Sequence, residues 1–287
     1  APMNDSHVTG DEGGDGPLRT FVGLFFVPLV VVVLCVAVFI GFGWIAYDHH
    51  SVGDYLNDMK SGWRPRRAQA AYELSKILTA DPEALDDDPA ARAELRALFA
   101  QADRGEMRRY LALVLGYTRD QEATPLLIEA ADDEDSETRI YVLMALGTMG
   151  DPRGEATLVE ALQDPDPGVR KTAAHALGAL GQPDTATSLE PLLEDPVADV
   201  RWNAALSATR LGSDAGMPVL LEMLDRDLTE QVPGITPAQV EEAMVSAISV
   251  LGISGADRAS ALLQELSTDD PSLKVRQAAM ETLKLER

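Results

Sequence analysis

Residues 169–184 read VRKTAAHALGALGQPD, and the chain repeats this pattern one register earlier and one register later. The earlier copy is TRIYVLMALGTMGDPR at 138–153, and the later copy is VRWNAALSATRLGSDA at 200–215. Self-similarity at a period of about 20–50 residues is typical of proteins built from stacked structural repeats. Here the period is 31 residues, and it is marked by four arginines and by leucines seven residues after the first three: Arg108, Arg139, Arg170 and Arg201, with Leu115, Leu146 and Leu177.

Each copy has the spacing of an amphipathic helix followed by a second helix. Val169, Ala173, Leu177 and Leu180 recur at intervals of three or four residues, which places them on one helical face. A second helix follows each glycine that ends the first, as in GEATLVEALQ (154–163), and Asp-Pro turns favour helix starts. A two-helix unit cannot bury its apolar face alone, so the pattern predicts an all-α fold, an α-solenoid of stacked repeats.

The period extends imperfectly in both directions. Upstream, RRAQAAYELSKIL (66–78) begins a first unit soon after residue 62. Downstream, EEAMVSAISVLGISG (241–255) matches after extra residues that fall in DLTEQVPGITPAQ (227–239), and VRQAAMETLKLER (275–287) restores the arginine as Arg276. The sequence therefore predicts about seven helical units in a solenoid over 63–287.

The pattern D-x-D-x-x-V-R-x-x-A-A-x-A-L-G-x-L-G in 164–181 resembles the bacterial HEAT-like repeats, including those of phycobilisome lyases. The resemblance implies an α-solenoid that serves mostly as a scaffold, in which repeated arginines and aspartates form a ladder of polar contacts between turns. The unit around Met244 departs from the pattern because it lacks the arginine. The residues that match the family ladder are Asp135, Asp166 and Asp199 with Arg139, Arg170 and Arg201.

The N-terminal part of the chain differs from the repeats in composition. Residues 1–19 are rich in Gly and Asp, and we expect a disordered acidic tail there. Residues 20–47 contain no charged residue, and a helix of that length spans roughly 42 Å against a hydrocarbon core of about 30 Å. The segment is predicted to be a single transmembrane helix, followed by a juxtamembrane linker over 48–62. Three small residues in it favour close packing of another membrane helix: Ala37, Gly41 and Gly43.

Basic residues on either side of this segment predict its orientation. Arg19 precedes it, whereas Lys60, Arg64, Arg66 and Arg67 follow it. The positive-inside rule then places the solenoid in the cytoplasm, with the helix in the inner membrane. A signal anchor that leaves the solenoid outside the cell stays open as the alternative.

Composition and the pattern of reactive residues limit the classes of function. The formal net charge is −23, which disfavours nucleic-acid binding, and the single cysteine, Cys35, excludes an intramolecular disulfide. We expect no cofactor, no metal site and no catalytic set, so the protein is predicted not to be an enzyme. The alternative is an enzyme of the bilin-lyase-like or protein-modifying type that uses the groove. Hydroxylases built on HEAT-like repeats bind iron through His-Glu pairs, and no such pair includes any histidine of this chain: His7, His49, His50 and His175.

Two features are candidates for partner binding. Trp202 occupies the register of Lys171 one repeat earlier, so it is expected either as an exposed interface anchor or leaning across its own turn. The insertion 227–239 projects from an otherwise regular stack, and its candidate residues are Pro233, Gly234 and Pro237.

These features together favour a membrane-anchored scaffold that binds other protein subunits. Its expected role is that of an accessory subunit in a larger membrane complex of the transporter or respiratory type. Its partners would be integral membrane proteins or basic proteins. The acidic surface is explained either by an acidic groove for a basic partner or by general solubility or adaptation to high salt, and the second explanation is favoured.

Overall fold

The computed structural model describes residues 26–46, 51–103, 105–254 and 256–285, and these residues form helices and turns without a strand. The chain divides into two compact units, residues 1–51 and 52–287. The first unit contains one described helix, α1 (Val27–Ala46). The acidic tail predicted over 1–19 lies outside the described residues.

The structure corrects the prediction of a membrane span. Among the described residues, no helix combines the length and the hydropathy that crossing a bilayer requires. The single-pass transmembrane helix predicted over 20–47, and with it the location in the inner membrane, is therefore wrong. Within the described residues, helix α1 covers Val27–Ala46.

Two further expectations depended on that span. The orientation that placed the solenoid in the cytoplasm has no basis without it. The same holds for the packing of a second membrane helix against three residues of α1: Ala37, whose side chain is exposed, and Gly41 and Gly43, which lie in the last third of the helix.

The second unit is built from two-helix repeats. Its helices in chain order are α2 (Val52–Ser61), α3 (Arg64–Ala80), α4 (Pro89–Gln101), α5 (Glu106–Thr118), α6 (Thr124–Ala130), α7 (Ser136–Met149), α8 (Glu155–Glu160), α9 (Pro167–Leu180), α10 (Ala198–Arg210), α11 (Met217–Leu224), α12 (Arg226–Glu230), α13 (Pro237–Ser254), α14 (Ala256–Asp269) and α15 (Leu273–Leu285). Segments of 3-10 helix accompany or replace second helices at Gln121–Ala123, Pro152–Gly154, Ala161–Gln163, Pro183–Glu194 and Asp214–Gly216. The first helices of the repeats (α3, α5, α7, α9, α10, α13 and α15) pack one against the next. This is the α-solenoid that the period of 31 residues predicts.

The repeated Leu-Gly pair explains why the first helices stack closely. A Cβ built on Gly116 would lie 2.7 Å from the Cα of Ala145, and one on Gly147 would lie 2.8 Å from the Cα of Ala176. Only glycine leaves room for a neighbouring backbone at that distance. The leucine of each pair fills the core, as it does at Leu115, Leu146 and Leu177.

A second glycine ends the first helices at a fixed point. Gly150 and Gly181 have φ values of 71° and 73°, and their N–H groups donate to the carbonyl oxygens of Leu146 and Leu177. The equivalent position one repeat earlier is Arg119, which has a φ of 50°. The turn that follows therefore leaves the helix in a similar way in each of these repeats.

Candidate functional site

The arginines that mark the period join the turns of successive repeats. Nη1 of Arg139 donates to the carbonyl oxygen of Asp133 at 2.8 Å, while its Nε and Nη2 donate to the two carboxylate oxygens of Asp164 at 2.9 Å each. Arg170 does the same one repeat later, with the carbonyl of Asp164 at 2.8 Å and the carboxylate of Asp195 at 2.8 and 3.2 Å. We call this series of contacts the polar ladder.

The ladder is strong because its charges are paired in a partly buried setting. Hydrogen bonding to the aspartates raises the pKa of Arg139 and of Arg170, since a neighbouring carboxylate favours the charged guanidinium. Bidentate pairs of arginine and carboxylate also fix geometry, because two parallel N–H groups must meet two oxygens. Each rung therefore holds one turn in register with the next.

The ladder uses aspartates other than those that the family pattern indicated. Asp135 and Asp166 cap the N-termini of α7 and α9, where each carboxylate accepts a hydrogen bond from a backbone N–H of the first turn. Asp199 instead pairs with Lys171, at 3.2 Å between Nζ and Oδ2. A ladder carboxylate has to reach back from the turn of the next repeat, and the residue placed to do so lies 25 positions after its arginine.

The ladder is interrupted after Arg201. Twenty-five positions later the chain has Arg226 in place of an aspartate. Nη1 of Arg201 keeps the bond to its own turn, 2.9 Å from the carbonyl oxygen of Asp195. Its carboxylate contact is reduced to one distance of 3.4 Å, between Nη2 and Oε1 of Glu222.

Arg226 pairs instead with Asp270. Its Nη2 lies 2.8 Å from Oδ1 and its Nε lies 3.2 Å from Oδ2, and the carboxylate is only 2% exposed. Asp270 also accepts a hydrogen bond on its carbonyl oxygen from Nη1 of Arg276, at 2.5 Å, as ladder turns do elsewhere. The repeat around Met244 lacks its own ladder arginine, and Arg226, the residue just before the insertion, supplies a guanidinium in its place.

A cleft of about 950 Å³ lies where the ladder is interrupted. It is bounded by the start of α10, by α11 and by the segment 225–239, and we call it the insertion cleft. Val197, Leu221 and Leu228 line it with side chains that are 37%, 37% and 48% exposed, so apolar surface faces solvent within it. Its charged lining residues are Asp199, Arg201, Glu222 and Asp225.

The groove two repeats earlier shows what an intact ladder does at the same place. It has a volume of about 400 Å³, and polar side chains form most of its lining around the pair of Arg139 and Asp164. That pair forms part of the polar wall of the groove. Arg201 has no aspartate 25 positions later, and the space at the equivalent place is larger and partly apolar.

The repeats match a known family. The family model for HEAT repeats matches residues 92–156, 126–207 and 155–232. Residues 92–232 carry HEAT repeats. The matched segments include the ladder arginines from Arg108 to Arg201 and end at residue 232, within the part of the chain that lines the insertion cleft.

Several solved structures are similar to this chain at low sequence identity. The complex of CpcE and CpcF of phycocyanin lyase, from a Nostoc species, contains a chain 18% identical to this one, with a TM-score of 0.55 over 82% of this chain and 95% of that chain. An engineered protein is 18% identical with a TM-score of 0.46, over 82% of this chain and 96% of that chain. Human deoxyhypusine hydroxylase in complex with glycerol is 20% identical with a TM-score of 0.33, over 82% and 94%. At 18% identity the likeness to the CpcE and CpcF complex shows the fold alone, and no curated protein sequence matches significantly.

The HEAT repeats bury Trp202, which the register of Lys171 had suggested as a surface anchor. Trp202 is 6% exposed and belongs to the apolar core of the C-terminal repeats. Val232 and Ile235 from the insertion pack against that core, whereas Lys171 belongs to a repeat that no insertion follows. An anchor that a partner touches directly is therefore not what this side chain provides.

The insertion residues divide between the cleft and the next helix. Pro233 and Gly234 line the insertion cleft, whereas Pro237 is the first residue of α13 and is not part of its lining. Sequence reasoning missed Leu221 and Leu228, because both fit the apolar spacing of ordinary core positions. A signal was nevertheless present, since the period places an arginine at 226 where earlier repeats have an aspartate.

The placement of His, Cys, Asp and Glu side chains bears on metal binding. Within the described ranges, no group of three or more His, Cys, Asp or Glu residues is placed to hold a metal ion. His175 is exposed on α9, and the other histidines of the chain lie outside these ranges. The insertion cleft is accordingly the feature on which a functional hypothesis can be built.

Proposed function

We propose that this chain is a HEAT-repeat scaffold that binds a partner protein in the insertion cleft. HEAT repeats commonly mediate protein–protein interaction, because stacked helices present extended surfaces. The observation that carries the proposal is the group of exposed apolar side chains inside a concave site, namely Val197, Leu221 and Leu228. Concave apolar surface of this kind is typical of sites that receive side chains of another molecule.

The size of the insertion cleft suits a short segment of a partner. Its volume of about 950 Å³ exceeds what one side chain fills and matches a few residues of a helix or an extended peptide. Pro233 and Gly234 form part of its wall, so the insertion that interrupts the repeat period contributes directly to the site.

Charge favours a partner that is basic overall. The formal net charge of −23 creates a long-range field that attracts cationic proteins and raises their association rate. Asp199, Glu222 and Asp225 bring that negative charge to the insertion cleft itself. An accessory role in a membrane complex depended on the membrane anchor and is not part of this proposal. A bilin-lyase-like or protein-modifying activity is the alternative, and the likeness to the CpcE and CpcF complex supports only its fold.

The proposal is tested by placing a charge on the apolar wall. Leu228→Glu adds a carboxylate inside the insertion cleft at a site that is 48% exposed, so the fold should tolerate it. We expect a protein that co-purifies in fixed ratio with the wild-type chain to be lost from this variant. Leu273→Glu is the matched control, since Leu273 is 59% exposed at the start of α15 and does not line the cleft. Equal recovery of that protein with both variants would show that the cleft does not bind it.

A further inference from the structure

Arg201 differs from the preceding ladder arginines in what its guanidinium contacts. Arg139 and Arg170 each hold a carboxylate by two hydrogen bonds, whereas Arg201 has one contact of 3.4 Å to Glu222. The side chain of Arg201 is 23% exposed, and it lines the insertion cleft. A guanidinium that elsewhere in the same fold binds an aspartate is thus accessible to a molecule in the cleft.

The contact with Glu222 is weak enough to be displaced. The side chain of Glu222 is 39% exposed and that of Arg201 is 23% exposed, and a single long contact to a solvent-accessible carboxylate contributes little, because water and salt screen it. A planar guanidinium binds a carboxylate best through two parallel hydrogen bonds. A carboxylate that enters the cleft would therefore replace a poor partner of Arg201 with the geometry found at Arg139 and Arg170.

The start of α10 provides a secondary attraction. Asp135 and Asp166 cap the equivalent helices α7 and α9, but the N-cap of α10 is Val197, which has no side chain that accepts a hydrogen bond. The positive end of this helix dipole faces the cleft, where residues 196–199 line it. This effect adds to the charge of Arg201, which is the group that defines the site.

We propose that the insertion cleft recognises an aspartate side chain of the partner protein, which Arg201 binds in place of the absent ladder carboxylate. This inference rests on the proposed function, because it specifies which side chain of the partner binds in the insertion cleft. An apolar residue next to that aspartate would contact Leu221 and Leu228, so the recognised segment combines one acid with bulky apolar side chains. Basic residues elsewhere in the partner are attracted by the negative net charge of the scaffold, whereas Arg201 binds the one aspartate directly.

Two labelled peptides test the proposal on the full-length chain by fluorescence anisotropy. The probes are acetyl-Lys-Leu-Asp-Leu-Lys-amide and its Asn counterpart, each with fluorescein on the C-terminal lysine, and they differ only in the carboxylate. We expect the Asp probe to bind at least about tenfold more tightly than the Asn probe, which is the effect of a charge-assisted pair. Equal binding of the two probes would overturn the role of the carboxylate while leaving the insertion cleft as a binding site.

Three variants assign the preference to Arg201. Arg201→Gln should abolish the preference for Asp and leave the affinity for the Asn probe within about twofold. Glu222→Gln should strengthen binding of the Asp probe, because it removes the competing carboxylate, and it does not depend on how Arg201→Gln folds. Lys274→Gln removes an exposed positive charge outside the cleft and should leave the preference unchanged.

The remaining outcomes decide against the proposal. A preference that survives Arg201→Gln in a folded protein, or that weakens in Glu222→Gln, would overturn it. Failure of both probes to bind would overturn it as well, and the comparison of Leu228→Glu with Leu273→Glu would then decide the proposed function separately.

Discussion

Position 119 has an arginine where the next two repeats have a glycine, and this difference should lower the stability of the fold. Gly150 and Gly181 end the first helices with positive φ, and Arg119 adopts the same left-handed conformation with a φ of 50°. For a residue with a Cβ this conformation costs roughly 1–2 kcal/mol relative to a right-handed one. Arg119 is exposed, so its side chain has little packing to lose.

Replacing Arg119 by glycine should therefore stabilise the protein. We expect Arg119→Gly to raise the free energy of unfolding by about 1 kcal/mol, after allowance for the greater freedom of glycine in the unfolded chain. Urea denaturation followed by circular dichroism measures this change. Arg119→Ala is the control, because it shortens the side chain but keeps the Cβ, and it should give no such gain. A less stable glycine variant would show that the strain is not there.

At the scale of helices, one glycine per repeat sets the distance between neighbouring first helices. The Cβ of an alanine at 147 would lie 2.8 Å from both Cα and Cβ of Ala176, which belong to the core of α9. A backbone atom cannot rotate away from such a contact as the end of a long side chain can. Helices α7 and α9 would have to separate, and the packing on both sides of that contact would loosen.

Gly147→Ala should consequently destabilise the protein by about 1–3 kcal/mol, although alanine favours a helix over glycine by roughly 1 kcal/mol. The midpoint of thermal unfolding measures the effect. Gly252→Ala is the matched control in α13, where the new Cβ would meet the Cγ2 of Thr282 at 3.1 Å, an atom that can move. Equal shifts in the two variants would contradict the assignment of Gly147 to a backbone contact.

The sequence predicted the helical elements well because their determinants are local. Leucines and alanines at helical spacing, with glycines at fixed offsets, describe α7 and α9 without tertiary information. Which aspartate contacts a ladder arginine was harder to predict from the sequence. Asp133 and Asp135 both precede Arg139, and either one fits the family pattern. The structure separates them: Asp135 caps its own helix, while the carbonyl oxygen of Asp133 accepts from Arg139.

Burial of Trp202 was missed for a different reason. The core that contains Trp202 is completed by Val232 and Ile235, about thirty residues later, in an insertion without the repeat pattern. The membrane span was inferred from the composition of 20–47 alone, whereas no helix among the described residues combines the length and the hydropathy that a span requires.

Across the second unit, regular repeats and one interruption have separate roles. The regular part is held by the polar ladder and by buried leucines, which leave small polar grooves such as the one at Arg139. Arg201 lacks a ladder carboxylate, and Arg226, which stands at that position, forms hydrogen bonds with Asp270. The insertion cleft lies at this interruption of the ladder. The candidate function thus arises from the departure from the repeat, and the repeat supplies the support.

Double-mutant cycles on two rungs test most directly whether the ladder is intact at Arg139 and interrupted at Arg201. The first cycle combines Arg139→Gln with Asp164→Asn, and the second combines Arg201→Gln with Glu222→Gln, with free energies of unfolding measured in urea. We predict a coupling energy of about 1–3 kcal/mol for the partly buried bidentate pair of Arg139 and Asp164. For the second pair, solvent screening of the exposed glutamate should leave less than about 0.5 kcal/mol. Equal coupling energies in the two cycles would contradict the account, because Arg201 would then be as fully paired as the arginines before it.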